Sequence, residues 1–95
     1  MRKIQQAAIM YEYCDYLIII TGQDHGACQR IALQRDIPQI KFTAGFIDNT
    51  LRFVGREEAL EIAKEAGQLL SSFTIGMTAL TSHDIKLQPF NKGLL

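Results

Sequence analysis

Ala59, Ile62, Ala63 and Ala66 recur at i, i+3, i+4 and i+7, the spacing of one face of an α-helix. Three of the four are alanines, so this face lets the helix backbone approach closely whatever covers it, a sheet or another helix. Glu57, Glu61, Lys64 and Glu65 fall largely on the opposite side, and Gly67 supplies the expected stop. The rest of the chain has to provide the second layer.

The remaining segments read mostly as strands. Residues 4–13 are strand-like with weak patterning. Residues 16–22, YLIIITG, form a continuous apolar, β-branched run that predicts a strand covered on both faces. Asp24 then offers an N-cap, and Cys28, Ile31, Ala32 and Arg35 at helical spacing predict a short helix over residues 25–35. Asp36-Ile37-Pro38 ends it, because the residue before proline avoids helical geometry. In residues 39–47, Ile40, Phe42 and Ala44 share one face, and Gly45 marks a slip, either a bulge or a close backbone approach. Asp48-Asn49-Thr50 is a turn, Leu51–Val54 one more short strand, and residues 71–95 hold at most one further strand before irregular chain. The expected fold is α/β in the α+β sense: a single two-layer domain over residues 1–95, with one short, mainly antiparallel sheet carrying two helices and an irregular tail over 87–95.

Ninety-five residues give one domain with a modest core, yet 47% of them are hydrophobic. The longest apolar run, Tyr16–Ile20, is far short of the roughly 18 residues that suggest a membrane span. A small chain with this apolar excess is expected to hide part of it between subunits, so a homo-oligomer is expected. Lys plus Arg and Asp plus Glu are 10 each, for a formal net charge of zero, which argues against a broad nucleic-acid footprint. No secretory signal is read in the first residues. Cys14 and Cys28 lack CxxC spacing and read as free thiols in a cytoplasm.

Catalytic patterns are weak. His25 and His83 sit in no HExxH pattern and beside no cysteine at metal-ligand spacing. His25 and Cys28 share a helix face, the one arrangement that suggests a base beside a nucleophile. The stretch REEALEIAKEAGQ superficially suggests a Nudix-type magnesium helix, but Glu61 occupies the position of the required arginine. ITGQDHG lies between a strand and a helix, as a phosphate loop does, yet it matches neither GxxxxGK[ST] nor GxGxxG.

Arg52 and Arg56 carry the sharper signal. They stand four apart where a loop becomes the second helix, at an end that already favours anions. Guanidinium groups bind phosphate in forked geometry and stack on flat bases. Phe53 lies between them, and Phe46 precedes the turn. Two readings stay open: a nucleotide cradle, or surface ion pairs with Glu57 or Glu58.

GFIDNTLRFVGREEALEIAKEAGQ, the later LTSHDI and the upstream IIITGQDHGACQRI resemble, across most of residues 5–85, a family of small phage proteins that includes the Thoeris anti-defence sponges of the first type. The resemblance implies a protein that sequesters a cyclic ADP-ribose-like or cyclic oligonucleotide immune signal in the infected cell's cytoplasm. It implies no catalysis, no cofactor and no metal. It also implies a dimer-based homo-oligomer, commonly a hexamer, with pockets between protomers, and neither nucleic acid nor membrane as partner. By position it makes Arg52 and Arg56 ligand-contacting, with Phe53 and Asn49 in the same motif, Phe46 available for stacking and His25 matched loosely. Three departures stand out: Gly55 replaces a common aspartate cap, Leu51 replaces a common glycine, and GQDHG lacks a basic residue before the histidine. The alternatives are a module that inhibits a host protein and, less favoured, a small nucleotide hydrolase.

Overall fold

A computed structural model of the chain describes residues 1–70, 76–85 and 87. The chain runs β1 (Ile4–Tyr13), β2 (Tyr16–Gly22), α1 (His25–Gln34), β3 (Phe42–Asp48), β4 (Phe53–Gly55) and α2 (Arg56–Glu65). The strands form one sheet in the order β2-β1-β3-β4, antiparallel throughout. The expected α+β architecture is present. The irregular tail expected over 87–95 falls, apart from buried Leu87, outside the described residues, as does part of the possible last strand. What is described of that strand is a single antiparallel bridge between Leu69 and Ile85.

Alternation on β1 and β3 sorts the side chains into two faces. Ala7, Ile9 and Tyr11 on β1, Phe46 on β3 and Val54 on β4 join Cys28 and Ala32 of α1 and Ala59, Leu60, Ile62 and Ala63 of α2 in one buried cluster. Both helices therefore cover the same face. The predicted alanine stripe of α2 is buried, and Leu60 adds to it. Asp24 caps α1, accepting a 2.7 Å bond from Ala27 N–H. Gly67, at φ +68°, ends the second helical segment, with its N–H on Lys64 O and that of Gln68 on Ala63 O.

Two expectations need correction. The alternation Phe42, Ala44, Phe46 continues without a slip or bulge, because Gly45 pairs in register with Ala8 on one side and Gly55 on the other; the close backbone approach expected there is present, since a Cβ would strike the Val54 carbonyl oxygen. The irregularity lies in β1, between Ile4 and Gln6. There the Gln68 side chain acts as a substitute peptide: its Oε1 accepts from Ile4 N–H at 2.7 Å and its Nε2 donates to Ile4 O at 2.8 Å. Nor is β2 covered on both faces. Among the described residues it is an edge strand, with Tyr16, Leu17 and Ile19 exposed by 71%, 65% and 44%. A continuous apolar run reports a demand for cover, not which element meets it.

Candidate functional site

The β3–β4 hairpin is organised by one carboxylate. Asp48 is fully buried. Its Oδ1 accepts from Thr50 N–H (2.8 Å), Thr50 Oγ1 (2.7 Å) and Arg52 N–H (3.0 Å). Its Oδ2 accepts from Arg2 Nη2 (2.9 Å) and Nε (3.3 Å). Burial pushes the Asp48 carboxyl up, but the donors from Thr50, Arg52 and Arg2 outweigh it and hold the group well below the usual carboxylate range. Arg2 also reaches Glu58 in the first turn of α2 at 3.2 Å, and its guanidinium is held above its ordinary pKa chiefly by the hydrogen bond to Asp48. The loop closes with Asp48 N–H on Arg52 O and Leu51 N–H on Asp48 O, both 3.0 Å, and places Leu51 at φ +66°.

The six predicted site residues fall into separate groups. Asn49 secures the N-terminal residues: its Oδ1 accepts from Lys3 N–H at 3.1 Å and its Nδ2 donates to Met1 O at 3.0 Å. Arg52 is exposed, and its guanidinium has no hydrogen bond or ion pair among the described residues. Arg56 donates Nε to Leu80 O at 2.9 Å, while Leu80 N–H returns a bond to Arg56 O. The alternative reading, pairing with Glu57 or Glu58, is not formed by either arginine among the described residues; Arg2 takes Glu58 instead.

The other three surround Gly45. His25 opens α1 and donates Nε2–H to Gly45 O at 2.8 Å, a bond that fixes its tautomer because a carbonyl only accepts. Its ring stands edge-on to Phe46, with centroids 5.0 Å apart. Phe46 is wholly buried, so in this chain it offers no face for stacking. Phe53 lies over Gly45 on the sheet face that bears no helix among the described residues. Arg52 precedes β4, and no hydrogen bond joins its side chain to Phe53 or His25 among the described residues.

The start of α2 lacks a side-chain cap, because Gly55 occupies the N-cap position at φ −68° and ψ 168°. A Cβ there would meet nothing within 4 Å. Open space and N–H groups without a side-chain cap favour an anion at this end, and Arg52, whose guanidinium has no partner among the described residues, stands three residues earlier in the sequence. A surface recess of about 330 Å³ lies at the other end of β1, lined by residues such as Tyr13, Tyr16 and Lys41.

The His25–Cys28 pairing considered above is not made. Cys28 Sγ donates to Ala7 O at 3.6 Å, and burial pushes its thiol up to about 11. Among the described residues no group of three His, Cys, Asp or Glu side chains is placed to hold a metal ion. Sequence reasoning passed over Arg2 and Gln68, since neither lies in a motif that announces a partner more than forty residues away. Asp48 was visible only as the first residue of a turn.

Fold and site together define a small two-layer α+β protein built around a buried-carboxylate hairpin and an uncapped helix start. The family model for the phage T4 y16D protein matches residues 3–85, and the chain belongs to that family of small phage proteins. Searches of curated proteins and of solved structures give no significant match.

Proposed function

We propose that this phage protein binds and holds, without turnover, a small phosphate-bearing signal of the cyclic ADP-ribose or cyclic oligonucleotide kind in the infected cell's cytoplasm, and that it does so as a homo-oligomer. The observation that carries this reading is the exposed Arg52 guanidinium, partnerless among the described residues, three residues before the helix start that Gly55 leaves without a side-chain cap. A phosphate there gains a forked cation and backbone N–H donors together. Burial of Phe46 leaves the proposed anion site of one chain without that ring as a base platform. A second copy that supplies the cover fits this gap. The commitments of His25 and Cys28 to backbone carbonyls favour holding over conversion.

The test is isothermal titration with cyclic ADP-ribose isomers and a set of cyclic di- and trinucleotides, followed by recovery of the bound molecule after heat denaturation. Tight binding with intact recovery is the expected result. Recovery of a cleaved product would turn the reading towards a hydrolase. No binding across the set would overturn it in favour of a module that inhibits a host protein, a reading that the exposed Tyr16 and Leu17 otherwise support.

A further inference from the structure

Among the described residues no strand pairs with the outer edge of β2. Natural sheet edges carry lysine, proline, a bulge or very short strands that prevent pairing with another chain. The edge at β4 is short, at three residues. The edge at β2 is seven residues, YLIIITG, with no charge, no proline and no bulge in its pairing with β1.

The register states which groups face outward. Tyr13 lies opposite Tyr16 across a two-residue loop, with Cys14 and Asp15 both at positive φ (50° and 67°), a type I′ turn. The closing pair of such a hairpin exchanges its hydrogen bonds, so Tyr16, Ile18 and Ile20 direct N–H and C=O inward to β1. Leu17, Ile19 and Thr21 direct theirs outward. The side chains of these three lie on the helix-free face, where Leu17 and Ile19 are among the most exposed apolar groups of the sheet.

We infer that this edge is closed by a second copy of the chain, β2 against β2, antiparallel about a twofold axis at Ile19. In that register Ile19 meets Ile19, and Leu17 meets Thr21 of the other copy. Every outward N–H and C=O finds a partner, and both helix pairs stay on one side of a continuous eight-stranded sheet. The neutral strand suits self-pairing, because a twofold brings identical residues together and any charge near its centre would face itself. Shifting the register by one residue would turn inward-directed groups to the seam and lose the bonds. The inference gives the self-association in the proposed function a surface, and it holds or fails without any ligand.

The test uses the full-length chain in sedimentation equilibrium, with Ile19→Lys, Ile19→Glu and an equal mixture of the two. The wild type is expected to form pairs or a multiple of them. Each variant alone should weaken that association by about tenfold or more, since like charges then sit directly opposite. Mixing should restore it, because lysine then faces glutamate. A monomeric wild type, variants that associate normally, or a mixture that stays dissociated would each overturn the inference. Should either variant fail to fold, amide exchange on the wild type decides: Leu17, Ile19 and Thr21 N–H groups are expected to be protected at high concentration and to lose protection on dilution. Fast exchange at every concentration would overturn the pairing.

Discussion

Gly45 lies directly beneath the ring of Phe53: a Cβ at position 45 would stand 2.6 Å from Phe53 Cζ and would also strike the Val54 carbonyl oxygen. The same glycine presents its carbonyl to His25. The hairpin and the start of α1 thus meet through a residue that has no side chain. Gly45→Ala is expected to destabilise the fold by about 1–3 kcal/mol, the usual cost of overpacking. Urea midpoints of Gly45→Ala, Phe53→Ala and the double variant check it. Because Val54 O is backbone, Phe53→Ala should recover only part of the loss, and full recovery would show that the ring alone sets the constraint.

Leu51 occupies a left-handed conformation at φ +66° while 73% exposed. A leucine there carries steric strain of about 1–2 kcal/mol and gains little burial in return. Glycine removes the strain but adds unfolded-state freedom of about 0.5–1 kcal/mol. Leu51→Gly is therefore expected to raise stability by up to about 1 kcal/mol, seen as a higher urea midpoint at unchanged slope. A lower midpoint would mean that Leu51 packs in a way its exposure does not suggest.

How much of this was legible beforehand depends on the range of each interaction. The alanine stripe of α2, the Asp24 cap and the Gly67 stop act within one or two turns, and the sequence displays such patterns directly. The β1–β2 turn carried no such signal, since Cys14-Asp15 replaces the Asn-Gly or Asp-Gly that normally marks a type I′ loop. Arg2 with Asp48, and Gln68 with Ile4, join positions 46 and 64 apart. Spacing rules do not reach that far. The arginine pair was visible as a pattern, but the placing of Phe53 on the helix-free face, over Gly45, follows only from the pairing of β4 with β3.

Asp48 should govern stability in acid. Its folded carboxyl is held below the unfolded value near 3.9 by the donors from Thr50, Arg52 and Arg2, against the opposing push of burial. Stability from this group is fully present above the unfolded pKa and fades as pH falls from about 4–5 towards the folded pKa. Asp48→Asn removes the charge and turns one acceptor into a donor facing other donors. It is expected to cost about 2–3 kcal/mol at pH 7 and to flatten the acid slope. Thermal melts between neutral and acid pH compare the two chains; an equal acid slope in both would assign the titration elsewhere.

Gly55 separates stability from binding. Its backbone already has N-cap geometry, and the space where a side chain would go is open. Gly55→Asp supplies the missing acceptor and removes glycine's unfolded-state freedom, so it should stabilise by about 0.5–1 kcal/mol. The same carboxylate takes up the N–H groups proposed for the ligand phosphate and repels it. Binding should therefore weaken while the melting temperature rises. Gly55→Asn provides the cap without the charge and should show a smaller binding loss. If Gly55→Asp stabilises with affinity unchanged, the ligand does not use this helix start.

Arg52 and Arg56 are expected to differ when each is replaced by alanine. The Arg52 side chain has no bond to lose among the described residues, so Arg52→Ala should leave stability within about 0.5 kcal/mol of wild type. If its guanidinium holds the ligand phosphate, binding should nonetheless fall by about 2–5 kcal/mol, the range for truncating one partner of a buried, hydrogen-bonded charge pair. Arg56 also ties Leu80 to the start of α2 through reciprocal bonds, 2.9 Å each. Arg56→Ala keeps the backbone half of that tie and loses the Nε half, so melting and affinity should fall together. Arg52→Ala is thus the decisive variant: titration with the best-binding cyclic nucleotide, on protein whose melt matches wild type, reads the site without a folding contribution. Unchanged affinity in that variant would remove Arg52 from the site, and with it the observation on which the proposed function rests.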